Sequence, residues 1–310
     1  MKIKVLGSAA GGGFPQWNCN CSNCTAVRAK QPGFTARTQS SIAVSANGQD
    51  WLLVNASPDI LQQLKSSPEL QPARGPRDTG IVATMLMDAQ IDHVTGLLMM
   101  REGKVPMELY CTGSVWEDLS TGLPLVSTLS HYCGVNWRPL PTDGQSAISI
   151  PQLPDIEFVP VPLISKAPPY SPNRYSPSVG DNVGLLITNK ATGKTALYAP
   201  GLGEITPEFE AVMQSADVLL VDGTFWTEDE MVRLNFSKKM AADMGHLPQT
   251  GDNGGVEGGM IGVLNRMPAS RKILIHINNT NPVLNELGPE RALLTRHGIE
   301  LAFDSMEIEL

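Results

Sequence analysis

Short apolar runs alternate along this chain with polar, glycine-rich or proline-rich stretches, the rhythm of many strands rather than of long helices. Residues 3–6 form a first apolar strand that runs into a glycine-rich turn at 7–13. Ser41–Ser45 and Trp51–Val54 read as strands joined through Asn47-Gly48, a strong hairpin signal. Residues 59–65 predict a short helix, with Ser57 placed to cap it and Pro58 at its entry. The run 81–87 predicts a buried strand, followed by a loop that leads into a helix, and 108–111 predicts another strand. Prolines recur between 139 and 182, which predicts strands interrupted by turns and then a long loop, because proline brings no donor to a sheet interior. Further strands are expected at 184–188, 195–198, 218–221 and 273–276, with helices at Pro207–Ser215 and Pro289–Arg296. Strands occur in both halves, helices lie between them, and no low-complexity seam divides the chain. The expected fold class is α/β: two sheets face to face with helices outside, in a single domain over 1–310.

Composition narrows the function. The 310 residues carry 23 Lys and Arg against 31 Asp and Glu, a net charge of −8, which argues against a broad nucleic-acid-binding face. Apolar runs fall far short of the ~20 residues of a membrane span. The first residues read as a strand rather than a signal peptide, so the expected location is the cytoplasm, without membrane insertion. Cysteines stand at 19, 21, 24, 111 and 133. An odd number without a secretory signal does not suggest a disulfide framework. Three of them fall within Cys19-Asn20-Cys21-Ser22-Asn23-Cys24, where thiolates at this spacing can wrap a tetrahedral zinc ion given a fourth ligand from elsewhere. The plainer reading is a set of reduced cysteines in a loop.

A second constellation follows the run 81–87: Asp88-Ala89-Gln90-Ile91-Asp92-His93. Asp92 and His93 are adjacent and reach one metal only from a turn. His276 ends another strongly apolar run. Two histidines and a carboxylate around an open coordination sphere suit Fe(II), Zn or Mn. The alternative is that Asp92 caps a helix and both histidines are satisfied polar residues at strand ends.

The loop resembles the His-x-His-x-Asp-His motif of the metallo-β-lactamase superfamily, whose fold is an αββα sandwich of two mixed sheets. In that register Asp88 and Gln90 stand where the first two histidines would be, while Asp92 and His93 match. His276 matches the superfamily's C-terminal histidine. The resemblance implies that the ligands of one metal are gone, since there is no histidine between 131 and 246 and Ala199-Pro200-Gly201 brings no bridging carboxylate. All three terminal ligands of the other metal, Asp92, His93 and His276, remain. Asp88 and Gln90 are left as weak ligands or substrate contacts. The Cys-x-Cys-x-x-Cys insert is similar to that of phosphonate-pathway cyclic phosphodiesterases, where it forms a structural zinc site. Their fourth ligand, a histidine, falls at Asn279 here, so Asn279, His246 or water could complete the set. His246, in Gly245-His246, resembles an acid–base histidine of ribonuclease Z relatives, and Asp222-Gly223-Thr224-Phe225 their Glu-Ala-Thr-Phe element. His131 and His297 have no such context and read as structural or exposed. The turn at 7–13 lacks a nucleotide-binding pattern; its glycines are expected to let the backbone approach the site.

The opening string from Val5 to Cys21, the segment 88–101 and His276-Ile-Asn-Asn-Thr-Asn-Pro look like the branch of the superfamily that serves pyrroloquinoline quinone (PQQ) biosynthesis. That resemblance implies a small-molecule partner, PQQ or its precursor. One reading is an iron-dependent hydroxylase of the tyrosine ring in a cross-linked Glu–Tyr precursor, with His246 assisting proton transfer. The other is a non-catalytic carrier that moves PQQ or its precursor towards the periplasm. A homodimer is among the assemblies open to either.

Overall fold

The strands expected from the apolar runs exist, and each is buried on both faces, which is why they read as runs rather than as alternation. The computed structural model describes residues 1–251 and 254–310. In chain order its strands are β1 (Lys2–Gly7), β2 (Ser41–Ser45), β3 (Trp51–Val54), β4 (Ile81–Met85), β5 (Met107–Cys111) and β6 (Val135–Pro139). They continue with β7 (Ile156–Pro162), β8 (Val183–Asn189), β9 (Thr195–Ala199), β10 (Val218–Asp222), β11 (Arg271–Ile275), β12 (Ile299–Leu301) and β13 (Glu307–Glu309). One sheet has the order β13-β1-β2-β3-β4-β5-β6 and the other β12-β11-β10-β9-β8-β7. Both are mixed: β1–β2–β3 and β7–β8–β9 pair antiparallel, whereas β3–β4–β5–β6 and β9–β10–β11–β12 pair parallel.

One apolar cluster fills the space between the sheets, with Val5, Val44, Val54 and Met85 from the first and Phe158, Tyr198, Leu220 and Ile275 from the second. The outer face of the first sheet packs, through Leu53 and Leu109, on residues of the helices Ile60–Lys65, Gly113–Ser120 and Leu125–Leu129. The outer face of the second packs, through Leu197, Leu219 and Leu274, on Pro207–Ser215, Met260–Arg266 and Pro289–Arg296. This is the αββα metallo-β-lactamase fold. Full burial of each such aliphatic or aromatic side chain contributes about 1.5–3 kcal/mol, so the three clusters hold the four layers together.

Local differences from the sequence expectation have physical reasons. The helix Ile60–Lys65 is preceded by Asp59, not capped by Ser57, whose hydroxyl has no hydrogen-bond partner among the described residues. The Asp59 carboxylate instead accepts from the Gln39 backbone and side-chain nitrogens at 2.9 and 3.0 Å, fastening this helix to the chain beside the glycine-rich turn. β4 stops at Met85 because Met87 N turns to the side-chain oxygen of Asn55, 3.0 Å away. Pro160 and Pro162 do enter a strand, β7, but it is the edge of its sheet, where a missing donor costs no ladder bond.

Candidate metal centre

The parallel strands of both sheets bring their carboxyl ends to one edge, the place where open sheets gather ligand sites. From the first sheet, the chain beyond β4 supplies Asp88 and then a single helical turn, Ile91–Val94, that carries Asp92 and His93. The sequence suggested an open turn here; a turn of helix separates the two side chains by about 100° and still lets them converge on one point. The backbone behind them is fixed, since Ala56 N donates to His93 O at 2.7 Å and Gly96, packed on Ala56 and Ser57, has no room for a Cβ. From the second sheet comes His276, one residue past β11, with φ of 62°. A non-glycine residue held in the left-handed region is uncommon and marks a position fixed by its surroundings.

These three residues meet. Asp92 Oδ2 lies 3.3 Å from His276 Nε2 and 3.7 Å from His93 Nε2, and one donor atom from each falls within 4.8 Å of the others. His93 is buried and its Nε2 has no hydrogen-bond partner among the described residues. An orphaned ring nitrogen aimed at a carboxylate and a second imidazole fits a divalent cation, which would take the place that hydrogen bonds leave open.

The neighbouring residues set the tautomers. Asp88 Oδ1 and Oδ2 accept from His93 Nδ1 at 2.8 and 2.9 Å, so Nε2 is the free nitrogen. Asp88 is therefore engaged in orienting His93, and it also lines the cleft. Gln90 keeps a place in the cleft wall, with its amide donating to Lys166 O at 3.0 Å. Across the cleft, His276 Nδ1 donates to Thr224 Oγ1 at 2.8 Å, and that hydroxyl donates to Asp222 Oδ1 at 2.6 Å. Asp222 Oδ2 accepts from His246 Nδ1 at 2.6 Å. One wholly buried carboxylate at the end of β10 thus fixes two histidines through their Nδ1 atoms, leaving the Nε2 of His276 turned to Asp92 and that of His246 turned to the cleft. Asp222 and Thr224 are the site residues that sequence reasoning noticed only as a family-like string; their bonds span 24 and 52 residues.

Electrostatics follow from these pairs. Burial pushes the Asp92 carboxyl up, but the His93 and His276 imidazoles together hold it well below the usual carboxylate range. Burial opposes the His93 cation, yet Asp88 and Asp92 outweigh it and raise its pKa to about 9. His246 is raised in the same way, with Asp222 overcoming burial. The residues surround a cleft of about 270 Å³ whose wall includes Gln90, Asp92, His93, His246 and His276. The glycine-rich turn reaches it as expected: a Cβ on Gly11 would sit 3.2 Å from Asp92 Oδ2. Replacing Asp222 with alanine is expected to weaken active-site metal binding about 10–100-fold, measured by competition with a metallochromic chelator, although Asp222 touches no metal.

The three insert cysteines also converge, their sulfurs lying within 4.8 Å of one another. Asn279, three residues beyond His276, places its amide Nδ2 at 3.1, 3.6 and 3.4 Å from the sulfurs of Cys19, Cys21 and Cys24. The same amide turned about its last bond offers Oδ1 to that point, so of the fourth ligands open in the sequence, Asn279 is the one in place. His246 is committed elsewhere. His297 lies away from both centres, bonded to Asn265, and His131 is exposed.

Glu230 was not visible as a special residue in the sequence. It is buried, accepts from Thr280 Oγ1 and Trp226 N, and burial raises its pKa to about 7. Its folded pKa lies above the ordinary glutamate value of 4.5, so the stability it confers is full below pH 4.5 and is lost as pH rises through 7. Thermal melts from pH 4 to 8 should show Glu230→Gln losing less stability than wild type across that window, by on the order of 3 kcal/mol. Parallel curves would refute the assignment.

The fold and the site define a class, and comparison with known proteins agrees: a family model described as "Beta-lactamase superfamily domain" matches residues 50–277. Coenzyme PQQ synthesis protein B of Cupriavidus necator is 61% identical over 308 residues, covering 99% of each chain. The 1.98-Å crystal structure of Zn²⁺-bound PqqB from Methylobacterium extorquens superposes with a TM-score of 0.88 at 36% identity, covering all of both chains. This chain belongs to the coenzyme PQQ synthesis protein B family. A diphosphatase of the PhnP family shares the fold, with a TM-score of 0.68 at 16% identity over 100% of this chain and 97% of the other.

Proposed function

We propose that the protein is a metal-dependent hydroxylase of PQQ biosynthesis, acting on the tyrosine ring of a cross-linked Glu–Tyr precursor with Fe(II) held by Asp92, His93 and His276. The observation that carries this reading is the donor set: two Nε2 atoms and one carboxylate on one side of a cleft, each imidazole turned by its own acceptor. Among the described residues the positions that would hold a second metal offer little, because Asp88 is bonded to His93, position 90 is a glutamine, and the residue facing Asp88 is Gly201. Two-metal hydrolysis is therefore disfavoured. Bound Fe(II) in such a set supplies dioxygen activation for ring hydroxylation. His246 lines the same cleft, and its free Nε2 can take the phenolic proton while Asp222 stabilises the imidazolium.

Ring hydroxylation inserts one oxygen atom of dioxygen and reduces the other to water with two electrons, so the assay needs a reductant such as ascorbate. Protein loaded anaerobically with Fe(II), then given oxygen, ascorbate and a tyrosine-containing precursor, should form a product heavier by one oxygen atom. Full turnover by the Asp92→Ala, His276→Ala double variant would sink the proposal. Tight metal-independent binding of PQQ without oxygen uptake would favour the carrier reading instead. Among the described residues no helix is long and apolar enough to cross a membrane.

A further inference from the structure

The floor of the cleft accounts for its own charges. Asp88 faces His93, Asp92 lies between His93 and His276, and Asp222, buried behind them, faces His246. Two other charged residues line the same cleft, Arg174 and Lys239, and neither takes part in an ion pair among the described residues. They come from separate segments, Arg174 from the long loop before β8 and Lys239 from the loops after β10. Arg174 is half-buried and Nη1 donates to Ala167 O, which fixes the guanidinium within its loop and leaves the other face of its fork available. Lys239 is exposed, and only its backbone nitrogen is engaged, by Ser237 Oγ at 3.0 Å.

In a chain of net charge −8, acidic partners are plentiful, and several cations pair with them, Arg74 with Asp50 and Asp78, Arg138 with Glu108 and Lys194 with Asp217, while others such as Lys65 stay solvated. What sets Arg174 and Lys239 apart is their shared place on the cleft wall. Two cations without an ion-pair partner among the described residues, on the cleft that ends in the Asp92–His93–His276 cluster, leave a place for a counter-charge brought by a ligand. A planar guanidinium binds a carboxylate through two parallel hydrogen bonds, and an ammonium on a flexible stem follows a second anionic group as a point charge. Gln90, also in the cleft wall, adds a neutral polar surface that discriminates little by charge.

We infer that Arg174 and Lys239 are the anion-recognition residues of this cleft, selecting a substrate that carries at least two carboxylates and so placing its ring towards the metal-binding donors. The inference rests on the cleft being the substrate site, and it concerns binding rather than the reaction performed there.

The test is a fluorescence titration of PQQ, a polycarboxylate, and of its methyl ester, onto metal-loaded and metal-stripped protein. Variants Arg174→Gln, Lys239→Gln and the double variant are compared with Lys65→Gln, which removes the same charge outside the cleft. Each single cleft variant should weaken PQQ binding about tenfold, the worth of one hydrogen bond to a charged group, and the double variant more. The ester should bind weakly to wild type and be indifferent to the substitutions, and Lys65→Gln should match wild type. Affinities within twofold of wild type for both single variants, or equal losses for acid and ester, would overturn the inference. A protein that shows the expected binding pattern but takes up no oxygen would retain this inference and lose the hydroxylase. Normal hydroxylation with unchanged KM in Arg174→Gln and Lys239→Gln would do the reverse.

Discussion

Replacing His276 with alanine should abolish active-site metal binding, and with it the proposed hydroxylation, while the insert site keeps its metal, so that bound metal falls by one ion per chain. Changing a residue that only orients a ligand costs about 10–100-fold in affinity, and His276 supplies one of three donors outright. The loss should therefore exceed 100-fold. Alanine also removes the 2.8 Å bond between the 276 side chain and Thr224 Oγ1, a loss of about 0.5–1.5 kcal/mol, although that hydroxyl keeps its bond to Asp222 Oδ1. The variant will melt lower for that reason alone. His276→Asn separates the two effects, because asparagine tolerates the left-handed backbone that position 276 adopts at φ 62°. Metal analysis should show both variants equally deficient, with the asparagine variant closer to wild type in melting temperature. An unchanged metal content in either would remove His276 from the ligand set.

The residues that reveal the fold in the sequence are those whose signal is local. Runs such as 218–221 and 273–275 are apolar throughout because sheet and helix layers cover both faces, and no polar alternation survives to blur them. Pro207–Ser215 and Pro289–Arg296 begin at prolines, which suit the first helical turn, and their limits are read directly. Ile91–Val94 is too short to show a helical period, so the turn bearing Asp92 and His93 looked like a loop. Asp92, His93 and His276 could be grouped by residue type and by register with a superfamily motif, and the structure brings them together. The orienting residues were harder. Asp88 in a former ligand position looks like a degraded ligand, and only the fold shows that its partner is His93, five residues on. Ser57 and Asp59 both have a cap's chemistry, yet neither side chain caps the helix, because the Asp59 carboxylate is bound to Gln39 and the Ser57 hydroxyl has no partner among the described residues. Glu230 lies fifty residues from Thr280, and nothing in its own segment marks it as buried.

The insert should prove to be a brace for the active site rather than an independent appendage. Asn23 Nδ2 donates to Asn279 O at 3.1 Å and to Asn281 O at 2.9 Å. The segment these bonds hold, Asn279–Asn281, begins three residues after His276 and follows directly on Asn278, whose backbone nitrogen donates to Thr224 O. A zinc ion bound by Cys19, Cys21, Cys24 and Asn279 would tie this segment covalently to the helix Ser22–Arg28. Structural zinc sites in small peptides contribute about 10–16 kcal/mol to folding, but here the three apolar clusters hold the layers without it, so only the local part of that energy is at stake. Cys21→Ser is expected to remove the zinc and lower the melting temperature by about 5–10 °C. Because the loosened segment starts three residues from His276, the active site should also bind its metal several-fold more weakly, although Cys21 is not among its ligands. Zinc analysis and a chelator competition on the same sample read both effects. If the variant loses zinc while active-site affinity is unchanged, the insert stabilises only itself; if zinc is retained, the cysteines do not form the site.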